Sequence, residues 1–428
     1  MKKKYFLNAN IIDPKNSLDE VGGLIVNEKG EIEAIGKKVN KNNIPTREKY
    51  VDLKDKYIFP GIVDMRVFVG EPGYEYKENF RTLSNAALSG GVTSVVTMPN
   101  TNPIIDNVSM VDFLKRRGRD KSRINIFPTA SLTKNLEGTN MTEFGLLQKK
   151  GIIGFTDGVK TIQNTRVMSR IMNSAFDLNS LIIQHAEDFD LAQNGMMNDG
   201  IISSKLGLQG IPDVAEKIII ERDLALLEEH GCRYHISQIS SSKSIDVIRE
   251  KKQFLKFSCG VSINNLSLNE NDIGEFKTFL KLSPPLRTEE DRMSLVEGLN
   301  NKTIDVIVSD HKPEDEEQKR LTFTRAATGS SGIETLLSLS LELFHNGSVK
   351  LYTIIEALTS NPAKILKINK GNLSIGSNAD FCIVDINKPW IVKSENLISK
   401  SKNTSIENKK LQGKVVSTFI NGEELFKL

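Results

Sequence analysis

The chain has 428 residues, enough to bury a large core and to divide into two or three domains. Its hydrophobic content of 39% and charged content of 26% are those of a soluble globular protein. A net charge of +3 without any basic block argues against a nucleic-acid binder. No apolar run reaches the ~18 residues of a membrane span. The Lys-rich start leads into Tyr5-Phe6-Leu7-Asn8 with no signal-peptide core. Cys232, Cys259 and Cys382 share no CxxC spacing and are expected as reduced, buried thiols of a cytoplasmic protein.

Residues 1–58 read as short strands and turns. Residues 21–26 and 31–35 flank Asn27-Glu28-Lys29-Gly30 as a hairpin with glycine at the tight position. This segment is too small to bury its own faces and needs strands from elsewhere. From about residue 60 to 365, apolar runs alternate with helical patterns. The expected strands cover 62–67, 93–98, 124–129, 152–156, 181–185, 234–239, 255–261 and 305–309. Helical patterns at 83–89, 110–117, 165–177 and 215–229 lie between them. Eight β-α units in this length predict an α/β fold with a TIM (β/α)8 barrel. A doubly wound open sheet is the alternative, but no GxGxxG follows the first strand. After a helix expected over 352–366, strand chemistry returns at 380–384 and 415–420. The Lys/Ser/Asn-rich stretch 394–410 reads as a solvated loop, and no internal repeat appears.

The organising stretch is Phe59 to Gly73, an apolar strand that ends in a Gly/Pro turn. It resembles a motif of the dihydroorotase branch of the amidohydrolase superfamily, Pro-Gly-x-x-Asp-x-His-x-His-x-Arg-Glu-Pro-Gly. The frame is present, but Arg66 and Phe68 stand at the two histidine positions and Gly70 at the arginine. Further matches follow in order: Met98-Pro99-Asn100-Thr101, His185-Ala186-Glu187-Asp188, Pro284-Pro285-Leu286-Arg287 and Ser309-Asp310-His311-Lys312-Pro313. The stretch Gly371 to Asp380 resembles the pattern with which amidohydrolases close a small β-sandwich. The resemblance therefore implies a composite β-sandwich domain from 1–58 and 367–428 around a barrel at 59–366.

The family's metal ligands would lie at strand ends. The resemblance maps them to Asp157, His185 and Asp310, the last also being general base for the attacking water. Arg66, Phe68 and Gln238 replace three histidines. A guanidinium is permanently protonated and a phenyl ring has no lone pair, so neither can hold zinc. His235, three residues before Gln238, is expected on the opposite strand face. Asn100 and His311 match substrate-site residues, with a turn role and a structural hydrogen bond as their alternatives. Ser283, Asn264-Asn265 and Glu314 also depart from the family's pattern. His230 and His345 read as cations at helix C-termini. Ser240-Ser241-Ser242 reads as loop serines, Gly90-Gly91 as a loop, and Trp390 as a packing anchor.

Two readings follow. In the first, Arg66 replaces the metal's charge by pairing with Asp157 or Asp310 and keeps them ionised, with no metal bound. The chain is then a noncatalytic partner of aspartate transcarbamoylase in pyrimidine biosynthesis, as some members with degraded metal sites are. In the second, one zinc on Asp157, His185 and Asp310 supports a cyclic amidohydrolase (EC 3.5.2 class) of dihydroorotase or allantoinase type. Family members commonly form homo-oligomers.

Overall fold

The computed structural model describes residues 2–45 and 48–428. Eight strands from both ends of the chain pair into one sheet. Its order is Glu423–Lys427, Lys410–Ile420, Phe381–Ile391, Tyr57–Pro60, Lys4–Asp13, Leu18–Val26 and Ile32–Gly36, with Val51–Asp52 beside Lys4–Asp13. The expected hairpin is Leu18–Val26 against Ile32–Gly36. Phe6 lies on a strand three inter-strand spacings, about 14 Å in a flat sheet, from that of Phe419. Yet their ring centroids are 5.3 Å apart, and Phe381 stacks on Phe419 at 4.4 Å. The sheet must therefore curl around these rings, and Ile11, Leu24, Ile58 and Ile383 complete the enclosed core.

Between these ends lies the parallel α/β body. Ile62–Val67, Val92–Thr97 and Asn125–Pro128 form a three-stranded parallel sheet. Leu181–Gln184, Arg233–Ile239, Ser258–Ser262 and Val306–Val308 form a four-stranded one. The stretch 152–156, expected as a strand, is not one. Phe155 alone bridges Ala130 on one side and Ile182 on the other. Flanking Gly151 and Gly154 give it no run of side chains to pack. A further parallel bridge joins Val67 to His311.

The helices form where apolar spacing and caps agree. Thr165–Asp177 buries Met168, Ile171, Met172 and Ala175, and Asn164 caps it by accepting from Val167 N at 3.2 Å. Val214–His230 ends at Gly231 in the left-handed region, and His230 in its last turn bonds Ser169. The helix expected over 352–366 is two helices, Leu351–Leu358 and Ser360–Leu366, broken at Thr359. Pro362 explains the break, since it has no N–H to donate to Leu358 and its ring would clash with that carbonyl.

The stretch 394–410 is solvated only in part. Ser399, Ser401, Asn403, Thr404 and Ile406 are buried. Asn403 accepts from Glu314 N at 3.0 Å and donates to Gly329 O at 3.0 Å. Ser401 Oγ donates to Lys77 O at 2.7 Å, and Ser405 Oγ to Asn264 Oδ1 at 2.7 Å. Polar composition suggested solvent, but these inward-facing polar groups have protein partners, while Glu395, Asn396, Lys400, Lys402, Glu407 and Asn408 remain exposed.

Candidate functional site

The first parallel strand, Ile62–Val67, carries Arg66 into the body of the protein, where it is 1% exposed. Its Nε donates to Asp310 Oδ1 at 2.9 Å. Its Nη1 donates to Ser237 Oγ at 2.8 Å and to Gly158 O at 3.3 Å. One guanidinium thus ties together the carboxyl ends of the first, sixth and eighth strand segments and the loop after Phe155. Of the two partners expected for Arg66, Asp310 is the one it takes.

Asp157 faces elsewhere. Its carboxylate accepts from Leu132 N at 2.8 Å, Thr133 N at 3.0 Å and Thr133 Oγ1 at 2.5 Å. Burial nevertheless pushes its pKa up to about 6, against those hydrogen bonds. Asp310 is also raised, because burial outweighs the neighbouring Arg66 charge. Desolvation is therefore the larger influence on both carboxyls, although a value of about 6 still leaves Asp157 mostly ionised at neutral pH.

His185 is 2% exposed, and among the described residues neither ring nitrogen has a hydrogen-bond partner. Burial, then the Arg66 and Lys312 charges, hold its pKa down to about 3, so the ring is neutral. Gln238 faces Asp310 but makes no hydrogen bond of ordinary geometry. The register of Arg233–Ile239 shifts between Ile236 and Ile239. In a regular strand Ser237 and Gln238 would face opposite sides; the irregularity lets both approach the Arg66–Asp310 pair. His235 instead shares a 2.8 Å hydrogen bond with Ser258 on the next strand.

The residues present do not fit a zinc site. A guanidinium occupies the centre, Asp157 is committed to three donors, and Asp310 is held by Arg66. Among the described residues, no group of three or more His, Cys, Asp or Glu side chains is placed to hold a metal ion. The trio Asp157, His185 and Asp310, mapped as residual ligands, is thus not assembled.

The substrate positions are also occupied by structure. Asn100 Nδ2 donates to Asp157 O at 3.2 Å, and its side chain fills the space over Gly158. A Cβ at Gly158 would meet Asn100 Oδ1 at 1.6 Å, and its φ of +69° also favours glycine. His311 is fully buried, with Nδ1 accepting from Gly332 N at 3.3 Å and Nε2 3.7 Å from Glu78 Oε2. Burial raises Glu78, but hydrogen bonding and charge from His311, with Ser399 and Thr82, outweigh it and hold the carboxyl below its usual range. At Gly70 a Cβ would come within 2.7 Å of Tyr74 O and 2.8 Å of Glu78 O, so this backbone admits no arginine there. Glu314 pairs with Lys77 at 2.5 Å, and Asn265 donates to Pro285 O at 2.9 Å.

Several contributors were not visible as such in the sequence. Ser237 and Gly158 are ordinary residues whose importance is positional. Lys312 Nζ lies 5.8 Å from the centre of the Phe68 ring, and Arg66 Cζ lies 5.4 Å from it. Asp64 braces the eighth strand by accepting from Ser309 N at 3.3 Å and from Ser309 Oγ, and burial raises its pKa to about 6. Glu187 is raised to about 7 by burial, with Arg287 opposing and Glu216 adding. It lines a cleft of about 640 Å³ together with Asp157, Val159 and Lys160.

Comparison with known proteins agrees with this architecture. A family model described as Dihydro-orotase-like matches residues 55–244. A dihydroorotase of Ehrlichia canis (strain Jake) is 40% identical over 98% of this chain and 94% of its own length. One from Syntrophus aciditrophicus (strain SB) is 39% identical over 98% of each chain. Among solved structures, the L-hydantoinase (dihydropyrimidinase) of Arthrobacter aurescens superposes with a TM-score of 0.89 at 22% identity, covering 100% of this chain and 96% of that one. The D-hydantoinase of Thermus sp. gives 0.81 at 22%, covering 99% and 95%. The fold is that of the hydantoinases, and the near-complete alignment to the curated relatives means that the chain belongs to the dihydroorotase family.

Proposed function

We propose that this chain is a dihydroorotase homologue of pyrimidine biosynthesis that serves as a noncatalytic partner of aspartate transcarbamoylase. The observation that carries the reading is the Arg66–Asp310 ion pair. It puts a fixed cation where a metal would be gripped and occupies the carboxylate that would act as general base. The bridges at Phe155 and between Val67 and His311 support closure of the two parallel sheets into a TIM barrel. The curled terminal sheet supports a composite sandwich from both chain ends, its first segment reaching Pro60, two residues past the expected 58, because Tyr57–Pro60 pairs with Phe381–Ile391. The intact fold around a filled site favours a scaffold, assembled as a homo-oligomer in the cytoplasm. The three free, buried cysteines suit that reducing setting.

The second reading, a zinc-dependent cyclic amidohydrolase of dihydroorotase or allantoinase type, draws on the free ring nitrogens of His185. One preparation separates the two. The scaffold reading expects far less than one zinc per chain, no interconversion of dihydroorotate and carbamoyl aspartate, and co-purification with the transcarbamoylase. Stoichiometric zinc with turnover would overturn it.

A further inference from the structure

Around the Arg66–Asp310 pair, several buried polar atoms lack partners among the described residues. They are Arg66 Nη2, both ring nitrogens of His185, and the amide nitrogen and oxygen of Gln238. Arg66 and Gln238 are 1% exposed and His185 is 2% exposed. Lys312 adds a second cation beside the same Phe68 ring. Asp310 is taken by Arg66 and Glu314 by Lys77, and among the described residues no carboxylate lies within 4.0 Å of Lys312 Nζ. Arg66 and Lys312 thus both lie near Asp310 and near the His185 ring, with Glu314 also close to Lys312. Lys312 is part-exposed, but the unpartnered donors of Arg66, Gln238 and His185 are buried, and that is costly. Four donor groups, Arg66 Nη2, Lys312 Nζ, the Gln238 amide and a ring N–H of His185, outnumber the acceptors left for them.

We propose that this cluster is a receptor for a small oxyanion, held by Arg66, Lys312, Gln238 and His185. Lys312, the part-exposed member of the four, marks the side from which an anion reaches the others. The inference rests on the reading that no metal ion occupies this site.

Titration calorimetry and thermal melting of the full chain test it, with sodium formate and sodium phosphate as separate probes and sodium chloride as the control. The expected result is one-site binding of formate, phosphate or both with a Kd below about 1 mM, and a matching rise in melting temperature. Binding of formate alone identifies a planar carboxylate as the ligand group, and phosphate alone a tetrahedral one. Lys312→Met should weaken binding at least about tenfold, equivalent to about 1.4 kcal/mol. In anion-free buffer the same variant should melt close to the wild-type temperature, because Lys312 is part-exposed and has no carboxylate partner within 4.0 Å among the described residues. Gln238→Leu provides a second variant with the same expected loss of binding. Absence of a specific response to either probe, or undiminished binding in both variants, would overturn the proposal. Stoichiometric zinc in the same preparation would instead overturn the metal-free reading beneath it.

Discussion

Arg66 Nε donates to Asp310 Oδ1 across 2.9 Å, joining residues 244 positions apart in a place where both are almost wholly buried. Removing either partner strands the other. Arg66→Met is expected to destabilise the fold by about 3–5 kcal/mol, as is typical when a buried pair is broken. The double variant Arg66→Met/Asp310→Leu should recover most of that loss, since two apolar groups fill the space with no orphaned charge. Urea denaturation of the two single variants and the double one measures the coupling. Strictly additive losses would contradict a tightly coupled pair.

Asp157 makes stability depend on pH in a definite direction. Its folded value of about 6 lies above the ordinary 3.8. Folding therefore favours the protonated acid. The stabilisation is full below pH ~4 and is lost as pH rises through ~6. The shift corresponds to about 3 kcal/mol. The stability of wild type relative to Asp157→Asn should rise by an amount of that order between pH ~7.5 and pH ~4. A relative stability that falls on acidification would contradict the assignment.

The 394–410 stretch should resist trypsin despite Lys400, Lys402, Lys409 and Lys410. Its backbone is held by Asn403, which accepts from Glu314 N and donates to Gly329 O. Asn403→Ala leaves those groups without partners and should cost about 1–3 kcal/mol. Time-course digestion with mass mapping should show cleavage in this stretch to be slow in the wild type and several-fold faster in the variant. Equal rates would mean that the hydrogen bonds do not secure it.

The thiols offer a simpler check. Burial pushes Cys232, Cys259 and Cys382 up to about 12, so thiolate is scarce at neutral pH. Native protein should react negligibly with Ellman's reagent, and all three thiols should react after denaturation. Rapid modification of the native chain would contradict their packing.

What the sequence revealed depended on the range of the interaction concerned. The strand Ile62–Val67 and the helix Thr165–Asp177 were legible because local spacing and caps determine them. The replacement of histidines by Arg66 and Phe68 was legible because a motif frame survived around them. The partner of Arg66 was narrowed to two carboxylates, but choosing Asp310 required knowing that Leu132 and Thr133 had claimed Asp157. Such claims come from residues distant from the motif and leave no local pattern. The same is true of 394–410, whose polar side chains resemble a solvent-facing loop until their partners at Lys77, Asn264 and Gly329 are known. The break at Thr359 was readable in principle from Pro362, which ended a helix that the apolar periodicity had extended too far.

The pairing of Tyr57–Pro60 with Phe381–Ile391 has a consequence for biogenesis. On the ribosome, the early strands emerge long before the late ones that cover their edge and their aromatic core. Until then the nascent chain presents unpaired backbone and Phe6 without its ring partners, a species prone to aggregation. Synthesis speed and chaperone supply, rather than the equilibrium strength of the finished sheet, should govern how much of this protein a cell recovers in soluble form.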